Sequence, residues 1–245
     1  MSTVTRVVVA VPVRDEAELL AACLRSILRS VGTLREWRPS ISTEVVVALD
    51  RCTDTSALVV ERFPVTAVEV DAGSVGRARH AAVTTALGDT SRRGAEPADT
   101  WVVGTDADCV VHTHWLRRHV QAAEAGADPV LGTVEPFGVA DASVLAAWRD
   151  RHTLREDHEH VHGANLGVRA SAYLEAGGFA PLALHEDVDL AARVRGAGRP
   201  WIASDRLRVR TSGRTKSRVK GGFATYLTAL APSDRAPHPQ AEAAP

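Results

Sequence analysis

The sequence of 245 residues has no apolar run approaching the ~18 residues that a membrane-spanning helix requires. Met1 to Arg6 lead straight into strand-like residues without the apolar stretch of a signal peptide, so a cytoplasmic protein with no transmembrane segment is expected. The formal net charge is -1, which removes any electrostatic case for a nucleic-acid partner. Lysine is almost missing, with only Lys216 and Lys220 among 29 basic residues. Cysteine is scarce too: Cys23, Cys52 and Cys109 are odd in number and form no Cys-x-x-Cys pair, which excludes a disulfide framework or a zinc knuckle. Cys23 and Cys109 sit beside apolar residues, as a buried thiol does.

What is present is an alternation of strand-like and helix-like segments. Val7 to Val13 is a continuous, mostly β-branched run, the pattern of a strand buried on both faces of a parallel sheet. Asp15 then offers a helix N-cap, and Leu20, Leu24, Ile27, Leu28 and Val31 mark one helical face. Glu44 to Leu49 reads as a second strand ending on Asp50, with a helix from Thr55 to about Arg62. Val65 to Val70 reads as a third strand, followed past Gly73 by a helix over 75–87. Gly88 to Thr100 is a polar loop, and Trp101-Val102-Val103 forms a fourth strand. Repeated strand-helix units imply a doubly wound parallel sheet whose ligands bind at the carboxyl ends of the strands. Arg14, Asp50 and Asp106 all fall at such ends.

Asp106 and Asp108 are the focus of this arrangement. In an extended chain, residues i and i+2 point to the same side, so the two carboxylates can face one small volume. Like charges held that close call for a cation between them, and a divalent ion with hard oxygen ligands supplies it. The plainer alternative is a polar loop with one Asp capping a helix that begins near Thr113. Further on, Pro129 to Glu135 reads as a strand and 141–154 as a helix. His158, His160 and His162 alternate; on a strand they could share a face and hold zinc, or else form an exposed or acceptor-facing cluster. Glu186 and Asp187 open a helix over 186–196, where acidic residues favour the positive end of the dipole. Trp201 to Ala203 and Leu207 to Arg210 read as two late strands. The basic run Arg214, Lys216, Arg218, Lys220 precedes an amphipathic helix, and 232–245 has the composition of a disordered tail.

Taken in order, strand-Pro12-x-Arg14, strand-Asp50, the turn Gly76-Arg77-Ala78-Arg79-His80, strand-Asp-x-Asp, Gly163-Ala164-Asn165, Glu186-Asp187 and a basic loop resemble family 2 glycosyltransferases of the GT-A fold. That resemblance implies a single α/β domain over 1–231, a Rossmann-like, mostly parallel sheet flanked by helices. Residues 1–111 would form the half that binds the nucleotide sugar and 112–231 the half that binds the acceptor. It implies that Pro12, Arg14, Glu16, Asp50 and Arg79 line the nucleotide pocket. Asp106, Ala107 and Asp108 would form the metal and nucleotide-sugar motif, with Asp108 the direct ligand of Mn2+ or Mg2+. Gly163, Ala164, Asn165 and His185 would lie at the acceptor, Asp187 would be the catalytic base beside Glu186, and Arg214 and Arg218 would close over the diphosphate. The donor it implies is a nucleotide sugar, UDP-linked by preference, and the acceptor an unspecified hydroxyl, transferred to with inversion. His80 stands where the family has Asn, and carries no implied role.

The departures narrow the reading. Transmembrane helices and the Gln-x-x-Arg-Trp motif of processive synthases are both missing, which favours transfer of one sugar to a soluble or membrane-surface acceptor. A sugar nucleotidyltransferase on a related sheet is the first alternative. It would carry a glycine-rich phosphate loop with Lys after the first strand, and Val13-Arg14-Asp15-Glu16 has neither. A non-catalytic nucleotide-sugar-binding protein is the second.

Overall fold

Every residue of the first apolar run is buried, and the run becomes β1 (Arg6–Val13), an interior strand of an eight-stranded sheet. The computed structural model describes residues 3–88, 95–215 and 222–230. Because β1 is covered on both sides, its residues divide by parity. Val7, Val9 and Val11 join a core with Leu20, Leu24 and Ile27 of α1 (Ala17–Trp37), while Val8 and Ala10 join a second core with Ala78, Ala82 and Val83 of α3 (Val75–Leu87). The strand's one charged member, Arg6, is buried and bonded to the Glu44 carboxylate and the Ala86 carbonyl, both at 2.8 Å.

β2 (Ser42–Asp50), β3 (Thr66–Val70) and β4 (Thr100–Gly104) pair in parallel with this frame, and α2 (Ser56–Val60) links the second and third. The remainder is mixed. β5 (Cys109–Val110), β6 (Pro129–Phe137), β7 (Leu166–Arg169) and β8 (Ile202–Ser212) complete the order β3-β2-β1-β4-β7-β6-β8-β5. β7 runs antiparallel to both β4 and β6, whereas β6 and β8 are parallel. Helices Trp115–Glu124, Ala170–Glu175 and Glu186–Gly196 pack against these strands. The architecture is therefore α/β with a mostly parallel sheet flanked by helices, as expected.

Several local expectations change. Asp15 does not cap α1: Glu16 holds that position without a side-chain bond, and Asp15 adopts φ 52°. Its carboxylate instead accepts from the Thr53 amide at 2.6 Å and the Asp54 amide at 3.1 Å, fastening the loop after β2. The two late strands are one strand, β8, interrupted by a bulge opposite Thr133, where pairing jumps from Gly132↔Ser204 to Val134↔Val209. Asp205 in the bulge accepts from Thr133 Oγ1 at 2.6 Å and pairs with Arg208, so polar residues sit in the strand without breaking it.

The chain is organised as two compact units. The first comprises Met1–Phe137 and Leu154–Ser212 and contains the whole sheet; the second comprises Gly138–Thr153 and Gly213–Pro245. In the second, the helix Ala142–Arg151 is capped by Asp141, and His152 stacks on Trp148 at 4.5 Å and meets Tyr226 edge-on at 5.6 Å. Arg214 belongs to this unit, whereas Arg218 and the expected tail over 232–245 lie outside the described residues. Among the described residues no helix is long and apolar enough to cross a membrane.

Candidate active site

β4 ends at Gly104, where space is tight: a Cβ there would stand 2.9 Å from the Gly163 carbonyl oxygen. The chain then leaves the sheet and turns, with the Cys109 amide donating to the Asp106 carbonyl at 3.0 Å. Asp106 and Asp108 thus converge through a turn rather than through the pleat of an extended strand. Their carboxylates and the Cys109 thiol offer atoms all within 4.8 Å of one another. Asp106 is about a third exposed (34 %) and Asp108 half-buried. Thr211 Oγ1, from β8, donates to Asp108 Oδ1 at 3.4 Å. Ala107, between the two, is buried. The donor set fits a hard divalent cation such as Mn2+ or Mg2+, because it offers two carboxylates at short range. The thiol is a soft ligand, poorly matched to a hard cation, and burial, then Asp108 and Asp106, push its pKa well up.

Arg79 is not an open wall of a nucleotide pocket. It lies on the first turns of α3, is 3 % exposed, and forks between two carboxylates, one nitrogen to Asp106 and the other to Glu186. Burial works against its charge, but Asp106, Glu186 and Asp187 outweigh it and hold the guanidinium protonated. Glu186 is equally buried; burial pushes its pKa up by more than Arg79 draws it down. Glycine makes this packing feasible at two points. A Cβ on Gly76 would stand 2.7 Å from Glu186 Cγ, and one on Gly163 would overlap the Arg79 guanidinium.

Asp187 follows on the first turn of the helix Glu186–Gly196. It is half-buried, and its Oδ2 accepts from the Gly163 amide at 2.5 Å. Gly163, Ala164 and Asn165 form a short 3-10 turn leading into β7. Ala164 is buried. Asn165 is 0 % exposed and fully engaged: Nδ2 donates to the Thr133 and Leu207 carbonyls at 2.8 Å each, and Oδ1 accepts from Trp115 Nε1 at 2.9 Å. It stands behind the turn as a tie between strands. His185 is exposed at φ 63°, at the end of an exposed stretch that includes Leu182 and Leu184.

The remaining expected residues lie at neighbouring strand ends. Pro12 is buried near the end of β1, and Arg14 just beyond is exposed with no ion pair among the described residues. Glu16 is buried; its amide bonds Ser56 Oγ at 2.9 Å. Asp50 is buried, and its Oδ1 accepts from the Ala72 and Gly73 amides at 2.8 and 3.0 Å, shaping the turn before α3. Residues 158–162 are not a strand. Their imidazoles stack in a ladder, with centroids 5.8 and 6.0 Å apart, and do not converge as ligands: the two convergent groups among the described residues are Asp106/Asp108/Cys109 and Asp15/Cys52/Asp54. What the residue pattern did not reveal is the bridge from Arg79 to Glu186. The two are 107 positions apart, and the signal that could have pointed to it is the glycine at 76 beside the arginine turn.

The chain superposes with a TM-score of 0.59 on S. aureus TarS 1-349 in complex with UDP, at 16 % identity, covering 85 % of this chain and 61 % of that one. A mannosyltransferase, PcManGT from Pyrobaculum calidifontis in complex with GDP-Man and Mn2+, gives 0.57 at 22 % identity over 89 % of this chain and 59 % of that one. M. tuberculosis glucosyl-3-phosphoglycerate synthase in complex with Mn2+, UDP and phosphoglyceric acid gives 0.56 at 17 % identity, covering 92 % and 76 %. The chain thus spans less than two thirds of the TarS and PcManGT chains, and at these identities the likeness is one of fold, the GT-A fold of glycosyltransferases. No curated protein matches the chain. A family model described as "Glycosyl transferase family 2" matches residues 8–169, which contain most of β1, the Asp106–Asp108 turn and the Gly163 turn, and the chain therefore belongs to glycosyl transferase family 2.

Proposed function

We propose that the protein transfers a sugar from a UDP-sugar to an acceptor hydroxyl, dependent on Mn2+ or Mg2+, with inversion and with Asp187 as general base. The observation that carries this reading is the convergence of Asp106 and Asp108 at the end of β4, tied through the Arg79 fork to the helix turn bearing Asp187. A divalent ion held by Asp106 and Asp108 would supply charge stabilisation to the departing diphosphate. Arg14, exposed at the end of β1, is available for charge-assisted bonds to the same donor. Asp50 gives shape, since its bonds to the Ala72 and Gly73 amides build a floor beside the strand ends where a base would rest.

On the acceptor side, Asp187 takes the hydroxyl proton as the bond to the anomeric carbon forms. The Gly163 amide orients that carboxylate through Oδ2. A base opposite the leaving group produces inversion, by the geometry that governs inverting glycosidases. The solved structures similar in fold support a UDP donor, two of the three being complexes with UDP. The test is a thermal-shift panel of UDP, GDP, dTDP, ADP and CMP, each with and without Mn2+. A ligand at ~100 times its dissociation constant adds about 2.7 kcal/mol, so UDP with Mn2+ raises Tm by several degrees. Absence of a Mn2+-dependent shift with every nucleotide would refute the donor.

A further inference from the structure

Four carboxylates gather at this site from two distant stretches of chain, and one cation touches a member of each. Arg79 donates to Asp106, 27 residues on, and to Glu186, 107 residues on. Both sides of the Arg79–Glu186 pair are 4 % exposed. A buried ion pair is a poor device for stability alone, because desolvation offsets the attraction. What a planar, forked guanidinium does well is hold two carboxylates in a set relation. Packing leaves this fork no slack: Gly163 lies against the guanidinium and Gly76 against the Glu186 stem, each too close to admit a Cβ. Gly163 also gives its amide to Asp187 at 2.5 Å. Contacts therefore run unbroken from Asp106 through Arg79 to Glu186 at the start of its helix, and through the Gly163 backbone to Asp187.

We propose that Arg79 is a positioning residue that registers the donor-side carboxylate Asp106 to the acceptor-side base Asp187, with Glu186 as its anchor and not as an acid or base. This rests on the roles proposed above for Asp106 and Asp187. The purpose is geometric: a misplacement of ~1 Å between reacting groups costs on the order of 100-fold in rate, and the two groups belong to different elements with no covalent proximity. Charge and position make opposite predictions for cation binding. Deleting Arg79 alone removes a positive charge beside Asp106, which by Coulomb's law strengthens the hold on a cation, whereas losing the orientation of Asp106 weakens it. The double variant R79M/E186M leaves net charge unchanged, so position alone is read.

The test uses the full chain and two readouts, the Gly163 amide resonance in 1H–15N spectra of the metal-free protein and Mn2+ titration in the presence of UDP. In the wild-type background D106N shifts the Gly163 resonance, because the disturbance passes through Arg79. In R79M/E186M the same D106N change leaves it in place, and the Kd for Mn2+ rises at least tenfold. Should R79M/E186M fail to fold, R79K keeps the charge but cannot fork, and is expected to give the same two results. A Gly163 response to D106N that is undiminished without the fork overturns the proposal and leaves Arg79 a structural ion pair. Intact Gly163 coupling in a wild-type chain that binds no Mn2+ with UDP supports the positioning role while refuting the donor reading.

Discussion

Polar groups near the site fall into two regions held in opposite ways. In the first, at the open ends of the parallel strands, Arg14 is exposed, and Asp106 and Asp108 are partly exposed on a turn. In the second, where α3 meets the Gly163 turn and the helix Glu186–Gly196, they are buried and engaged. Asn165 makes three hydrogen bonds with no exposed surface, and Arg79 and Glu186 close on each other. A partly exposed carboxylate can exchange partners with an arriving ligand. A buried, fully bonded group cannot, because leaving its partners unsatisfied is costly. On the proposed roles the open region binds and the engaged region positions, and Asp187, half-buried, would be the group of the second region left to react.

The largest effect that would sharpen this contrast is at Asp187. Asp187→Asn is expected to retain Mn2+-dependent UDP binding while transfer, read as UDP release from a panel of UDP-sugars with acceptor, falls at least 1,000-fold, about 4 kcal/mol of barrier. Normal turnover would remove Asp187 from its role. Next comes Asn165→Ala, which leaves Trp115 Nε1 and the Thr133 and Leu207 carbonyls without partners. The expected loss is about 3 kcal/mol, a fall in Tm of roughly 6–12 °C. A variant with unchanged Tm but weakened acceptor binding would break the contrast, making Asn165 a contact residue.

A smaller effect should appear with pH. His119 is wholly buried, its ring edge-on to Trp115 at 5.1 Å, and burial pushes its pKa down to about 3. The unfolded chain, with an ordinary value near 6.5, binds the extra proton. Stability from this residue is thus full above about pH 6.5 and declines as pH falls toward 3, by about 1.4 kcal/mol per unit. Thermal melts between pH 7 and 5 should show that decline in wild type and a shallower one in His119→Phe. Identical slopes would mean that His119 is not held neutral in the core.

The parallel half of the fold was legible because buried parallel strands are continuous apolar runs, and because a strand's end is where its first polar residue falls, as at Val13–Arg14 and Leu49–Asp50. That Asp106 and Asp108 face one small volume was legible, though a turn rather than an extended strand brings them together. β7 was not read as a strand: four residues, Leu166–Arg169, leave little room for a period, and the strand owes its place to pairing with β4 and β6. β8 looked like two strands because a bulge houses Asp205 and Arg206 within it. At the site, residue type identified Arg79, Asn165 and Glu186 as notable, but not whether each would bind a ligand or be consumed by the protein. That depends on partners far away in sequence, Glu186 for Arg79 and Trp115 for Asn165, and the one local trace of them is the glycine at 76 beside the arginine turn.

The most direct test of the open region as the donor site is Mn2+ titration, in the presence of UDP, of the wild-type chain and of Asp108→Asn. One Mn2+ bound per wild-type chain, with affinity reduced at least 100-fold in Asp108→Asn at unchanged Tm, is the predicted result. Equal Mn2+ affinity in the two proteins would contradict the assignment of the Asp106–Asp108 turn as the cation and donor site.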